Sequence, residues 1–260
     1  MDGAEVVLCG TRPRVSDRPR WWTQLLLVVS VWWAYDTVNN LNPLRAATAF
    51  GHGLAIVHVE AVLHLDPERW LNRWLGAHLT MGRWFGDYYD VAHFAVTVGV
   101  LTWVWWRHPS SYRVLRNALL AINAIGFVIF WAFPVAPPRM LSGFVDIVAV
   151  AHSVGSWSGG ALASQANEYA AMPSLHVAWA LWCMFAVWTV HKDWGRRVLA
   201  AGYATMTSVV VMATANHYFL DVVGGAAAAG AAMAIATGRA HRRKFRCLRV
   251  APATPEGTVR

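Results

Sequence analysis

Six stretches of the chain are almost free of charge and mostly apolar: roughly 21–39, 88–106, 114–133, 174–191, 197–215 and 217–238. Each is close to the ~20 residues that a helix needs to cross the hydrocarbon core of a bilayer. A seventh stretch, 44–65, is equally long but carries Arg45, His52, His58, Glu60 and His64. At about 100° per residue, Arg45, Thr48, His52, Glu60 and His64 fall on one face, which predicts a helix lying in the membrane interface. The stretch 66–84, rich in Trp and Arg, is expected at the headgroup level as well. The pattern therefore predicts an all-α, polytopic membrane protein with six transmembrane helices, plus interfacial helices within 41–87. It divides into a basic segment 1–20, a first span with outer helices 21–87, a helical core 88–238 and a basic tail 239–260.

Composition supports this reading. The 260 residues are 57% hydrophobic and 14% charged, against about 25% charged in ordinary soluble domains. Sixteen Trp residues suit a membrane interface, where the ring sits in lipid and its polar edge in water. The net charge of +8 does not describe a nucleic-acid groove. Its residues cluster at 12–20, from Arg107-His108 to Arg116, at Lys192 with Arg196-Arg197, and from Arg239 to Arg249. With six spans all four clusters fall on one side, which the positive-inside rule makes cytoplasmic. A seventh span would put the basic N-terminus outside. Both termini are expected in the cytoplasm, with the first span uncleaved and the protein in the cell membrane. The tail suits anionic lipid. Cys9, Cys183 and Cys247 have neither metal-ligand spacing nor a disulfide pattern, and Gly224-Gly225 with the Ala run beyond reads as helix-packing surface.

The chemistry sits at the heads of two apolar runs, in Pro173-Ser174-Leu175-His176 and Asn216-His217-Tyr218-Phe219-Leu220-Asp221. The topology places both on the outer side with Arg139, although nothing in the span count used these residues. Ionisable groups at membrane depth are costly and usually functional. Residues four apart share a helix face, so Asp221 is placed to orient one imidazole nitrogen of His217 and leave the other as a nucleophile. Asn216 is a plausible N-cap, and Pro173 suits a first helical position. Two helix N-termini, with Ser174 and its following amides, then offer a phosphate site. His176 is available as general acid, and Arg139, on the proline-stiffened run 134–139, as a fork-shaped cation for phosphate oxygens. Structural hydrogen bonding, or a metal held by two histidines and a carboxylate, would use the same residues. A lipid or solute transporter would too, although no inverted repeat is evident.

The two runs resemble the second and third motifs of the membrane-embedded type 2 phosphatidic acid phosphatase superfamily, Pro-Ser-Gly-His and a His followed four residues later by Asp. The resemblance covers about 88–238. It implies an enzyme without metal or cofactor, in which His217 is phosphorylated, Asp221 orients it, His176 protonates the leaving group, and Arg139 and Ser174 bind phosphate. The chain departs from the family at four positions. Ala132 stands where the first motif has Lys and Met140 where it has Pro after its Arg, Val211 where the third has Arg, and Leu175 where the second has Gly. With its Ala-Pro-Pro and His-Tyr-Phe elements, the chain looks more like the branch containing inositol phosphorylceramide synthases. That likeness implies transfer of a headgroup phosphate from a phospholipid donor to a polyol or lipid acceptor; plain hydrolysis of a lipid phosphate is the alternative. A site short of two cations suits a singly charged diester better than a dianionic monoester. Asp36, Glu60, Tyr89, Asp90 and His93 are the polar residues expected near an acceptor or headgroup.

Overall fold

A computed structural model describes residues 18–40, 46–151 and 168–249, by backbone alone at 32, 35, 36, 38–40 and 241–249. Its helices are α1 (Trp21–Asn40), α2 (Ala46–Leu63), α3 (Pro67–Gly76), α4 (Leu79–Arg107), α5 (Pro109–Ala132), α6 (Ile147–Val150), α7 (Leu175–Val190), α8 (Trp194–Ala213) and α9 (Phe219–Arg249). A 3-10 turn, Pro138–Met140, lies between α5 and α6. The described residues contain no strand, only one parallel bridge joining Val135 to Ala170. Ala46–Leu63, Pro109–Ala132 and Phe219–Ala240 are long and apolar enough to cross a membrane, and Trp21–Val31 and Leu175–Val190 are shorter apolar helical stretches. Every apolar run expected from the sequence is a helix, and the protein is an all-helical, membrane-type chain.

The bundle is built on α5, α7 and α9, with α8 and α4 against α7. Trp182, Leu115, Ile122, Ala178, Ala229 and Ala232 form its interior. Among lipid-facing helices the gain comes from close packing and satisfied polar groups rather than from escape from water. The Ala-rich face of α9 serves the first need: a Cβ on Gly225 would collide with the Ser174 carbonyl, so α9 crosses the head of α7 almost backbone to backbone. Trp182 illustrates the second, its buried indole N–H donating to the Leu115 carbonyl at 2.8 Å. Large apolar side chains such as Trp21, Trp84, Trp194 and Leu199 point outward.

Two boundaries move. The stretch expected to ride at the headgroups as one unit, 66–84, splits between α3 and the first turns of α4, which starts nine residues before the predicted span. At the other end of the chain, α9 continues past 238 to Arg249.

The polar stripe read on α2 is also corrected. Arg45 lies outside the described residues, and Thr48 and His64 are exposed. Glu60, however, belongs to the inner stripe Ala49, Gly53, Ile56 and Glu60. The Ala49 carbonyl accepts from the Ala136 amide at 3.0 Å, His52 Nδ1 bonds the Pro134 carbonyl at 2.8 Å, and Glu60 Oε1 accepts from the Leu220 amide at 2.7 Å. Residues 134–136 follow α5 and residues 218–220 open α9, so both halves of α2 rest on one end of the bundle. An 11-residue separation along a helix is ~16 Å, and α2 spends it crossing that end. Periodicity grouped Glu60 with exposed polar residues and could not say that the head of α9 needs an acceptor there.

Candidate active site

The chain between α8 and α9 sets the geometry. Ala215 takes a left-handed φ of 55°, a conformation that costs an L-residue ~1–2 kcal/mol. It turns the chain so that the amides of Asn216 and His217 both reach the Val211 carbonyl at 3.1 Å. Opposite them, residues 168–174 pair with the segment after α5: Val135 N–H donates to Tyr169 O at 2.8 Å, and Ser174 N–H to Asp221 O at 3.0 Å. The Tyr218 hydroxyl, donating to the Ala136 carbonyl at 2.8 Å, ties both segments together.

In this frame His217 is 3% exposed and Asp221 0%. His217 Nδ1 lies 2.8 Å from the Ala171 carbonyl and 3.3 Å from Asp221 Oδ2, which also accepts the Tyr218 amide at 3.0 Å. A carbonyl can only accept, so Nδ1 carries the hydrogen and the neutral ring keeps its lone pair on Nε2. That nitrogen faces His176 Nδ1 at 3.3 Å, and the pairing requires His176 to place its own hydrogen there. His176 stacks on Tyr89 with ring centroids 4.5 Å apart and meets the His93 ring edge-on at 4.2 Å. His93 Nδ1 is itself held by the Tyr89 carbonyl at 2.8 Å. A lone pair and a proton thus face each other across a gap that a phosphorus atom would have to enter.

Arg139 joins through its neighbours. Its Nη1 makes a short hydrogen bond to Asn216 Oδ1, its amide donates to the Ala215 carbonyl at 2.8 Å, and its Nε is 3.7 Å from Asp146 Oδ2. The guanidinium therefore sits beside the residue that precedes His217.

Three local expectations are corrected. Asn216 does not cap α9, which starts at Phe219; its oxygen serves Arg139 and its amide donates to Thr214 Oγ1 at 2.9 Å. His217 consequently precedes the helix and is not in its first turn. Pro173 does not open α7, because Ser174 is the N-cap and accepts from the Val177 amide at 3.4 Å. Ser174 is fully buried and its amide already bonds Asp221. At α9 the Tyr218 and Leu220 amides are taken by Asp221 and Glu60. Of the amide donors at the two helix heads, those of Ser174, Val177, Tyr218 and Leu220 are already taken, by the Asp221 carbonyl, the Ser174 hydroxyl, the Asp221 carboxylate and Glu60 respectively.

Among the residues expected near an acceptor, Tyr89 and His93 come to the histidines. Asp90 is buried on the same α4 stripe as His93, Glu60 is committed to α9, and the Asp36 side chain lies outside the described residues. The Ala171 carbonyl went unpredicted, because a backbone atom leaves no trace in residue identity. Glu68 was hidden in a stretch read as interfacial, although a carboxylate among Trp and Arg was a signal available there.

An all-helical membrane-type bundle with two histidines and a carboxylate fixed at one end is the architecture of an enzyme handling lipid-borne groups. Residues 54–235 match the PAP2 superfamily, more than half of the chain, and the chain belongs to that superfamily of lipid phosphatases and phosphotransferases. No curated protein and no solved structure matches it significantly.

Proposed function

We propose that the protein is a membrane phosphotransferase that moves a headgroup phosphate from a phosphodiester lipid to an alcohol, polyol or lipid acceptor, through a phosphohistidine at His217. The observation that carries this reading is the fixed tautomer: with Nδ1–H held by Ala171 O at 2.8 Å, the Nε2 lone pair is the nucleophile. It attacks phosphorus as the P–O bond to the donor lipid breaks, and the leaving oxygen takes the proton from His176. The acceptor hydroxyl then returns a proton to His176 while its oxygen replaces nitrogen on phosphorus. Arg139 neutralises charge on the phosphoryl oxygens, and Asp221 supports the imidazolium character of His217.

Charge favours a diester. Val211 is buried against Val177 and Met212 and Ala132 is exposed at the end of α5, so the two other cation positions of the family contribute nothing. A monoester dianion would meet a single guanidinium, whereas a diester brings a single charge. The loss of family cations is also the support for the synthase-like branch. In the same reading α1, α4, α5, α7, α8 and α9 are the six spans, the basic ends face the cytoplasm, and α2 lies across the outer end over the site.

The test is covalent. Phospholipid labelled at phosphorus is mixed with the purified protein, quenched without acid and analysed for phosphohistidine. Labelling of the wild type and its loss in His217→Ala is the expected result; full labelling of that variant overturns the mechanism, and absence of labelling with intact transport would favour a carrier. A panel of lipid monoesters and diesters, with and without polyol acceptors, separates transfer from hydrolysis. Preferred turnover of monoesters to free phosphate would replace the transferase reading with a phosphatase.

A further inference from the structure

Glu60 on α2 and Glu68 on α3 are 0% and 1% exposed, and the proposed reaction uses neither. Neither belongs to any ion pair among the described residues. Those residues also contain no cluster of three or more His, Cys, Asp or Glu side chains able to hold a metal ion. Two buried, uncompensated carboxylates would be strongly disfavoured. Glu60 Oε2 and Glu68 Oε2 are both buried without a hydrogen-bond donor and the two carboxyl groups interact; two carboxylates can only accept, so the contact demands a proton between them. Glu60 Oε1 takes the Leu220 amide of α9 at 2.7 Å, and Glu68 lies beside the Phe219 backbone. Together with Asp221 on the Tyr218 amide, Glu60 closes two of the three donors immediately after His217.

We propose that Glu60 and Glu68 act as one proton-sharing acid pair that positions the His217–Asp221 turn, and that activity fails when the shared proton leaves. The inference rests on reading His217 as the nucleophile. The pair acts through α9 and touches no reacting atom. Removing the proton puts two like charges in contact, and among the described residues no cation pairs with either. Asp66 stands at the head of α3, with Arg69 engaged on it at 3.2 Å; Tyr218, just before α9, and Asp221 on α9 face the pair, and each can add only negative charge. Burial raises the Glu68 carboxyl above its ordinary range, opposed by hydrogen bonds from its own amide, Glu60 and Phe219 and reinforced by Asp66. The sign follows: the folded state keeps a proton that the unfolded chain releases, so this contribution is present at low pH and is lost as pH rises through the folded-state titration.

The experiment is a pH–rate profile of the full-length protein in phosphatidylcholine nanodiscs with a phosphodiester lipid donor. Glu60→Gln keeps an oxygen for Leu220 and supplies a non-ionisable N–H to Glu68. Its alkaline limb should move up by about one pH unit or more, with neutral-pH turnover within about threefold of wild type. Glu60→Ala should lower kcat by about 10- to 100-fold with KM little changed, the signature of a misplaced reacting group. A Glu60→Gln limb that coincides with the wild-type limb, or a wild type with no alkaline limb while still folded, overturns the proposal. If Glu60→Ala fails to fold, the Gln profile still decides. His217→Ala measured alongside isolates the other failure: activity in that variant refutes the reading of the site, whereas an inactive His217→Ala with normal Glu60 variants refutes the acid pair alone.

Discussion

The two ends of the bundle use the same kinds of side chain to different effect. At one end His217 and His176 are locked ring to ring among buried partners. At the other, Trp103 stacks on His191 with centroids 5.3 Å apart, His108 meets Trp103 edge-on at 4.8 Å, and Arg196 Nη1 lies 2.9 Å from His191 Nδ1. With Arg107 these residues line an open cavity of about 520 Å³. His191 follows His176 by 15 residues of sequence, ~22 Å along α7, so the two groups do not communicate by contact. Burial, with His191 and Arg107 beside it, lowers the His108 imidazole below its ordinary range, but nothing aligns it. Histidine becomes a reagent where a buried acceptor chooses its tautomer, and at the open end no such acceptor is present on His191 or His108 among the described contacts.

Substitutions can break this contrast. The largest effect is expected from His217→Ala, which should lower turnover by about 10³-fold or more, with His176→Ala costing about 10²- to 10⁴-fold; single-turnover assays with labelled lipid would read both. Next comes Gly225→Ala, whose added methyl has no room against the Ser174 carbonyl. It should separate α7 from α9, destabilise the protein by about 1–3 kcal/mol and reduce turnover about 10- to 100-fold, read by thermal unfolding in detergent and by activity. Asp221→Asn should cost less than His176→Ala, about tenfold, because Ala171 still holds Nδ1–H. The smallest effect belongs to the open end: His191→Ala should leave turnover within about twofold, and a larger loss there would end the contrast.

Much of this was legible in the sequence because lipid imposes long apolar runs and because the two histidine motifs stand at their heads. Helix existence followed from that, and so did the contact of His217 with Asp221. The use of helix N-termini did not. Whether an amide is free for phosphate depends on what is folded over it, and the group on Leu220 comes from Glu60, 160 residues earlier. The hydrophobic pattern of α2 could show a polar face, but it carries no information about what covers that face. Asn216 has the chemistry of a cap and spends it on Arg139 because Ala215 turns the chain before the helix starts.

The hydrogen bond from His217 to the Ala171 carbonyl has a consequence for how this chain can change over time. A main-chain acceptor survives any substitution that preserves the path of 168–174, so the tautomer of His217 is inherited with the fold and is insulated from point mutation. Drift at position 221 is therefore survivable to a degree that drift at 217 is not. The vulnerable element is instead the unremarkable segment that carries the carbonyl, where a single inserted residue would disarm the site while leaving every motif residue in place.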